Sequence, residues 1–258
     1  RKEKAIKIAK KFGFKLEPVN INKSSSVWDI GEDERTLIQP LTSIKGLGDK
    51  AIEQIIEHRP FNSVEELLFS KEIVYSKLNK KALDVLIKAE AVDELIDDRF
   101  RNQKHFWLSV ADNRPKTKKK LTENIEEFKD TEDFTRDEYI ETKTNITGMF
   151  PLTLVVSDDI VQRLNYYKVP TISEWDHDLG VAWFIPREVI KRKTAKGRPY
   201  FIVKTIDKNS VMTDIRCWGV NPEKDKLFVN RPYMAKLNFD EQWGFSSRGA
   251  LQNWKLLG

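Results

Sequence analysis

The chain has 258 residues, 40% of them hydrophobic, with one cysteine and a formal net charge of +5. Length and apolar content fit one large or two ordinary soluble globular domains, and a lone Cys217 excludes an intrachain disulfide or a thiolate zinc site, making a reducing intracellular compartment the default. The longest apolar runs, such as Leu152-Thr153-Leu154-Val155-Val156, fall far short of the roughly 20 residues a membrane span needs, while the small excess of cations favours a polyanionic partner without requiring one.

The first residue is Arg1 and no signal-peptide order follows it, so the expectation is a piece of a longer protein. Over residues 2–14, Ala5, Ile6, Ile8, Ala9 and Phe12 recur at helical spacing among lysines, which predicts a surface helix ended by Gly13. Residues 16–22, with Pro18, and the polar Lys23-Ser24-Ser25-Ser26 read as extended chain and loop. This N-terminal helix and lead-in take up residues 1–36.

From residue 37 to 95 the period is helical, and an all-α domain is drawn over residues 37–112. Ala51, Ile52, Ile55 and Ile56 form one apolar stripe, and Ser63 with Glu66 has the spacing of a capping box ahead of Leu67 and Leu68. Asn79 caps a further helix in which Ala82, Leu83, Leu86 and Ile87 repeat that stripe about 30 residues later, the pattern of an internal duplication or of a generic helical bundle. Residues 113–140 change character, with a basic run over 114–120 and an acidic stretch over 123–138, and read as a charged linker. Residues 141–258 form the second domain with its lead-in. There the period turns to alternation, with β-type runs at 181–191, 199–206, 211–218, 233–239 and 251–256, turns at Gly197, 207–210 and 246–249, and a helical insertion at 225–229. Five strands with a helix between the third and fourth match an oligonucleotide/oligosaccharide-binding barrel. The expected fold class is therefore α+β and multidomain, an all-α unit followed by an all-β barrel.

The sharpest motif is Ile44-Lys45-Gly46-Leu47-Gly48-Asp49-Lys50-Ala51. A chain reversal with positive φ needs a residue without Cβ, and a backbone amide pointing at a phosphate needs close approach. Glycines at 46 and 48 allow one to end a short helix and the other to open the next with bare N–H groups, where the helix dipole and the flanking Lys45 and Lys50 favour an anion. This is the design of a helix-hairpin-helix, and the phosphate-binding set is Lys45, Gly46, Leu47, Gly48, Asp49 and Lys50. A plain αα-corner capped by glycine is the alternative. Dinucleotide binding is disfavoured because no strand precedes the glycines and position 51 is alanine. A grip on backbone phosphates carries no sequence preference.

In the barrel, Lys191, Arg192, Lys193, Lys196, Arg198 and Tyr200 crowd the first two strands and their turn, and Arg216 and Trp218 lie on the third. Single strands bind such barrels by base stacking in a basic groove, while the plain alternative makes the aromatics core. Alternation sets Tyr200, Ile202 and Lys204 against Phe201, Val203 and Thr205, and Lys204 turns the first set outward. Trp183, Trp243 and Trp254 stay unassigned, and Cys217 is expected in the core. Nucleotidyl transfer needs carboxylates gathered around Mg²⁺. Asp97-Asp98 and Asp158-Asp159 read as caps or turns and Asp176-His177-Asp178 as the turn before the barrel, so neither catalytic nor metal-ligating residues are assigned.

The run "LTSIKGLGDKAIEQIIEHRPFNSVEELL", followed by "KLNKKALDVLIKAEAVDEL", resembles the tandem helix-hairpin-helix region of the bacterial C-family polymerases, the DNA polymerase III alpha subunits. In that family a degenerate second unit has the form "LNKRALEALIKAGALD". After a linker, "TNITGMFPL" stands where the family has "LGxYLSGHPL", and "GVAWFIPREVIKRKTAKGRPYFIVKTIDKNSVMTDIRCWG" resembles its barrel opening. The resemblance is strongest over residues 37–95 and weaker over 145–218. It implies a C-terminal part of a replicative DNA-directed DNA polymerase, holding duplex DNA through the hairpin and single-stranded template through the barrel. The palm carboxylates with their Mg²⁺ would then lie upstream of Arg1, leaving this chain inactive alone and without a cofactor of its own. Implied partners are the upstream polymerase domains, the sliding clamp and other replisome proteins, in the bacterial cytoplasm and with no membrane. Glu90 stands where the second hairpin has glycine, which implies that this hairpin does not hold phosphate. Met149-Phe150 replaces a Gly-His pair, and no clamp-binding peptide is visible over residues 116–137; such divergence fits a bacteriophage version. The alternative function is a non-catalytic replisome module whose barrel docks a protein.

Overall fold

In the computed structural model, Ala9 and residues 12–258 are described, so the helix expected over residues 2–14 lies almost wholly outside the described residues. The chain divides into two compact units between Phe150 and Pro151.

The helical unit opens with a small sheet that alternation did not reveal, because its strands are only two or three residues long: β1 (Lys15–Glu17), β2 (Asp29–Ile30) and β3 (Thr36–Ile38), in the order β1-β3-β2. A 3-10 turn at Leu41–Ser43 leads into α1 (Asp49–His58), α2 (Val64–Phe69) and α3 (Lys80–Lys88). The expected stripes form the core: Ala51, Ile52 and Ile55 of α1 and Ala82, Leu83, Leu86 and Ile87 of α3 are buried, while Ile56 sits at the edge, 36% exposed. Asn79 caps α3 by accepting from Ala82 N at 3.0 Å. Ser63 accepts from Glu66 N at 3.2 Å, but the Glu66 carboxylate reaches back to the N–H of Asn62 rather than of Ser63. The reciprocal bond is thus displaced by one residue. A complete capping box forms elsewhere, between Thr135 and Glu138.

Residues 113–140, expected as a charged linker, are packed structure. Helix α4 (Gln103–Trp107) runs into a π-helical turn at Leu108–Asp112, and α5 (Lys118–Glu127) and α6 (Arg136–Thr147) follow. Leu121 and Ile140 are buried. Asn124, fully buried, donates to the carbonyls of Ser109 at 3.0 Å and Asn113 at 2.6 Å. His105 accepts from Arg101 N–H through Nδ1 at 3.1 Å, so its Nε2 carries the proton donated to the Ile125 carbonyl at 2.8 Å. The basic run is also engaged: the Arg114 guanidinium lies 3.9 Å from the Tyr75 ring centroid and donates to the Leu78 carbonyl, and Lys120 pairs with Glu123 and Glu127 on its own helix. A few anchors suffice to dock a helix whose remaining surface is charged.

The second unit begins with α7 (Leu152–Val155) and α8 (Asp158–Tyr166), followed by a seven-stranded sheet in the order β10-β7-β4-β5-β6-β9-β8. The strands are β4 (Val181–Lys193), β5 (Pro199–Ile206), β6 (Met212–Trp218), β7 (Tyr233–Lys236), β8 (Asn238–Asp240), β9 (Gly244–Ser247) and β10 (Trp254–Leu256). The 13-residue β4 pairs first with β7 (181–184) and then with β5 (185–193), with its register shifted between Pro186 and Glu188, where proline's missing N–H is harmless. Only Leu237 separates β7 from β8, so one continuous stretch of chain pairs with the first strand and then, antiparallel, with β9. The sheet therefore curls round on itself, and β9 runs parallel to β6. That order, with this one parallel pair, is an oligonucleotide/oligosaccharide-binding-type barrel.

The barrel departs locally from expectation: it has seven strands rather than five, and the run expected at 251–256 is turn until Trp254. No helix forms at 225–229, because Asn221 and Pro222 start a turn in which Asp225 N–H donates to the Asn221 carbonyl at 2.8 Å and the Asn221 side chain accepts from Glu223 N at 3.0 Å. The presumed turn at 246–249 is entered later, since Ser246 and Ser247 belong to β9. The core gathers Phe184, Phe201, Val203, Ile215, Cys217, Tyr233, Ala235 and Trp254.

Two outcomes check this packing. Asn124→Ala leaves two backbone carbonyls without their donor and should destabilise the helical unit by about 1–3 kcal/mol in a denaturant melt, where a solvated linker would give no change. Burial pushes the Cys217 thiol up to about 12. It should therefore react with a thiol reagent at neutral pH only once denaturant opens the barrel.

Candidate nucleic-acid interface

The hairpin between the Leu41–Ser43 turn and α1 hangs from two apolar anchors, Ile44 and Leu47, both buried. Between and beyond them Lys45, Gly46, Gly48, Asp49 and Lys50 are exposed. Gly46 has φ +92°, a conformation that favours glycine. Gly48, the residue preceding α1, has φ −80° and ψ 155°, which any residue adopts, and a Cβ there would meet no atom within 4 Å. Neither backbone nor packing calls for glycine at 48, so what it provides is unobstructed access to the amides from outside. Lys45 N–H is bonded to the Ile146 carbonyl at 2.8 Å and Leu47 N–H to the Ile44 carbonyl at 3.2 Å. The N–H groups of Gly46, Gly48, Asp49 and Lys50 have no acceptor among the described residues. Asp49 complements the helix dipole but opposes an incoming anion; Lys45 and Lys50, unpaired among the described residues, outweigh it. A third cation, missed in the sequence because it lies on α3, is Lys81, whose Cε passes 3.9 Å from the Cβ position of Gly46.

The second hairpin is occupied from within. Glu90 takes the left-handed conformation, φ 59°, and its carboxylate is bound by Lys143 at 2.6 Å. The neighbouring Ala91 carbonyl accepts from Ile21 N at 2.8 Å.

On the barrel the eight sequence-selected residues separate. Arg192, Tyr200 and Trp218 are register partners across β4, β5 and β6, and the two rings stack at 4.6 Å and 27°. Ile202 and Arg216 form the next row of the same outer face, and the row beyond it is neutralised, with Lys204 bridged to Glu188 at 2.9 Å and facing Asp214. Phe201, Val203 and Thr205 are buried, matching the expected alternation. Lys191 and Lys193 alternate to the opposite side, where Lys191 donates to the Pro222 carbonyl at 3.1 Å. Lys196 and Arg198 lie in the β4–β5 turn. Trp243, to which spacing alone assigns no role, is 60% exposed in the β8–β9 turn, with the Arg216 guanidinium 6.0 Å from its ring and bonded to its carbonyl. Only the parallel pairing of β6 with β9 brings it beside Arg216.

The carboxylates weighed for chemistry stay apart, and no group of three or more His, Cys, Asp or Glu gathers among the described residues. The Arg99 guanidinium holds both Asp97 and Glu65 below the usual carboxylate range through direct hydrogen bonds. Asp158 and Asp159 lie in the first turn of α8, with Asp159 on Arg163 at 2.9 Å, and Asp176 closes a turn by accepting from Asp178 N at 2.7 Å. No helix among the described residues is long and apolar enough to cross a membrane.

A family model described as the helix-hairpin-helix motif matches residues 13–102. The chain is 25% identical over 246 residues to the DNA polymerase III subunit alpha of Aquifex aeolicus, covering 92% of this chain and 20% of that protein. It is 30% identical over 89 residues to the PolC-type DNA polymerase III of Lacticaseibacillus paracasei, covering 33% and 6%, and 33% identical over 92 residues to the DNA polymerase III subunit alpha of Helicobacter pylori strain 26695, covering 32% and 7%. The chain thus spans about a fifth or less of the length of these relatives. The resemblance drawn from the motifs therefore holds: the chain carries a helix-hairpin-helix motif and is similar to a region of the C-family DNA polymerases.

Proposed function

We propose that this chain is a DNA-binding part of a replicative C-family DNA polymerase, acting by positioning nucleic acid rather than by chemistry. The first hairpin grips duplex DNA through its phosphates, and the outer face of the barrel takes single-stranded template. Nucleotidyl transfer, with its Mg²⁺, belongs to carboxylates elsewhere in the parent enzyme, which would work in the bacterial cytoplasm. The observation that carries this reading is the run of unengaged N–H groups at Gly46, Gly48, Asp49 and Lys50, exposed between lysines within the region matched by the motif. Such donors at a helix start suit phosphate, and contacts of this kind fix register without reading bases. For the barrel, support comes from the stacked Tyr200 and Trp218, with Arg192 and Arg216 around them and Trp243 beyond. A flat aromatic surface with cations beside it accepts any base by stacking.

The duplex grip is checked by titrating a labelled duplex at several salt concentrations. Affinity should fall steeply with salt, and Gly48→Val, whose Cβ meets no atom within 4 Å, should weaken binding about tenfold or more while leaving the melting temperature near that of the parent; unchanged affinity would make the hairpin purely structural. For the barrel, Trp218→Ala should reduce single-strand affinity by about 1–3 kcal/mol and leave duplex binding unaffected. A barrel that binds no oligonucleotide even at low salt is instead a docking surface for a protein.

A further inference from the structure

The two helical units look like independent copies of one motif, the second with its Glu90 bound by Lys143. Their packing gives the second copy another task. Its helix α3 begins beside the first hairpin: Val85 Cγ1 lies 3.5 Å and Lys81 Cε 3.9 Å from the point where a Cβ on Gly46 would sit. Glycine at 46 meets the backbone's φ of +92°, and the Lys81 stem crosses the loop at ordinary van der Waals distance from it. The ammonium is one bond beyond Cε, on an exposed side chain.

The other two lysines of α3 and Lys143 of α6 are already engaged. Lys80 pairs with Asp112 at 3.3 Å, Lys88 with Asp84 at 2.8 Å and Lys143 with Glu90 at 2.6 Å. Lys81 has no ion-pair partner among the described residues. It is therefore the cation of α3 that is available to a ligand at the first hairpin, whose free amides lie within the loop it crosses. The two ends of the second unit divide the work, with Glu90 locked to α6 at the C-terminal end of α3 and Lys81 turned to the neighbouring loop at the N-terminal end.

We propose that Lys81 is a phosphate-contacting residue of the first hairpin's DNA site, so that the tandem units build one composite site rather than two separate ones. This rests on the hairpin reading given above. A lysine acting as a point charge on phosphate releases about one counterion, which makes the salt dependence its signature.

The test is a salt titration of duplex binding by the 258-residue chain and its variants Lys81→Gln, Lys80→Gln and Lys45→Gln. Lys80 neighbours Lys81 and carries the same charge, so general electrostatics would make the two variants equal. The composite site requires Lys81→Gln to weaken binding several-fold more than Lys80→Gln and to lower the slope of log affinity against log salt by about 0.9, with an unchanged melting temperature. If Lys45→Gln weakens binding while Lys81→Gln only matches Lys80→Gln, the composite site is wrong and the simple hairpin stands. If neither Lys45→Gln nor Lys81→Gln has any effect, the hairpin reading fails and the composite site with it. A fall in melting temperature with an unchanged salt slope would give Lys81 a structural role over Gly46 and overturn the proposal.

Discussion

The reversal at Gly46, held between the buried Ile44 and Leu47, is the constraint on which the helical unit's surface depends. Two apolar side chains on one side of so short a loop force the residues between and after them outward. At φ +92° the backbone there favours a residue without a Cβ. Lys45 N–H bonded to the Ile146 carbonyl fastens the loop to the C-terminal end of α6, and α3 closes in beside Gly46 through Val85 and Lys81. The exposed amides are thus presented by a loop tied to the helical unit at Lys45 and packed against α3.

The barrel depends on a comparable single feature, the near-continuity of β7 and β8 through Leu237. One strand that serves both β4 and β9 leaves far less unpaired edge than an open sheet, which limits edge-to-edge association. It also fixes which surfaces are outer. The parallel pairing of β9 with β6 carries the β8–β9 turn, and with it Trp243, to Arg216, beside the row that holds Tyr200 and Trp218. Beyond Arg216 the cation of Lys204 is cancelled by Glu188, so the face is polar at one end and both cationic and aromatic at the other.

What could be read in advance followed locality. The hairpin glycines, the Asn79 cap and the two apolar stripes were legible because φ, capping and period involve residues within a few positions of one another. The outward set Tyr200, Ile202 and Lys204 was legible for the same reason. Residues 113–140 read as a linker because their composition is dominated by solvent-facing charge, while docking relies on a few buried groups such as Leu121, Asn124 and Ile140. The four-residue β9 is too short and too rich in serine to alternate visibly, and Leu227-Phe228-Val229 has the look of a helix only if the turn begun at Asn221 is overlooked.

By itself the sequence determined the α+β division and the position of the first hairpin, because each follows from a residue's own stereochemistry or from its nearest neighbours. Only the tertiary structure decided that Glu90 is bound by Lys143, that Lys81 lies against Gly46 and that Trp243 joins Arg216. Those pairs are far apart along the chain and are joined by helix packing and strand pairing, which no local rule of spacing specifies.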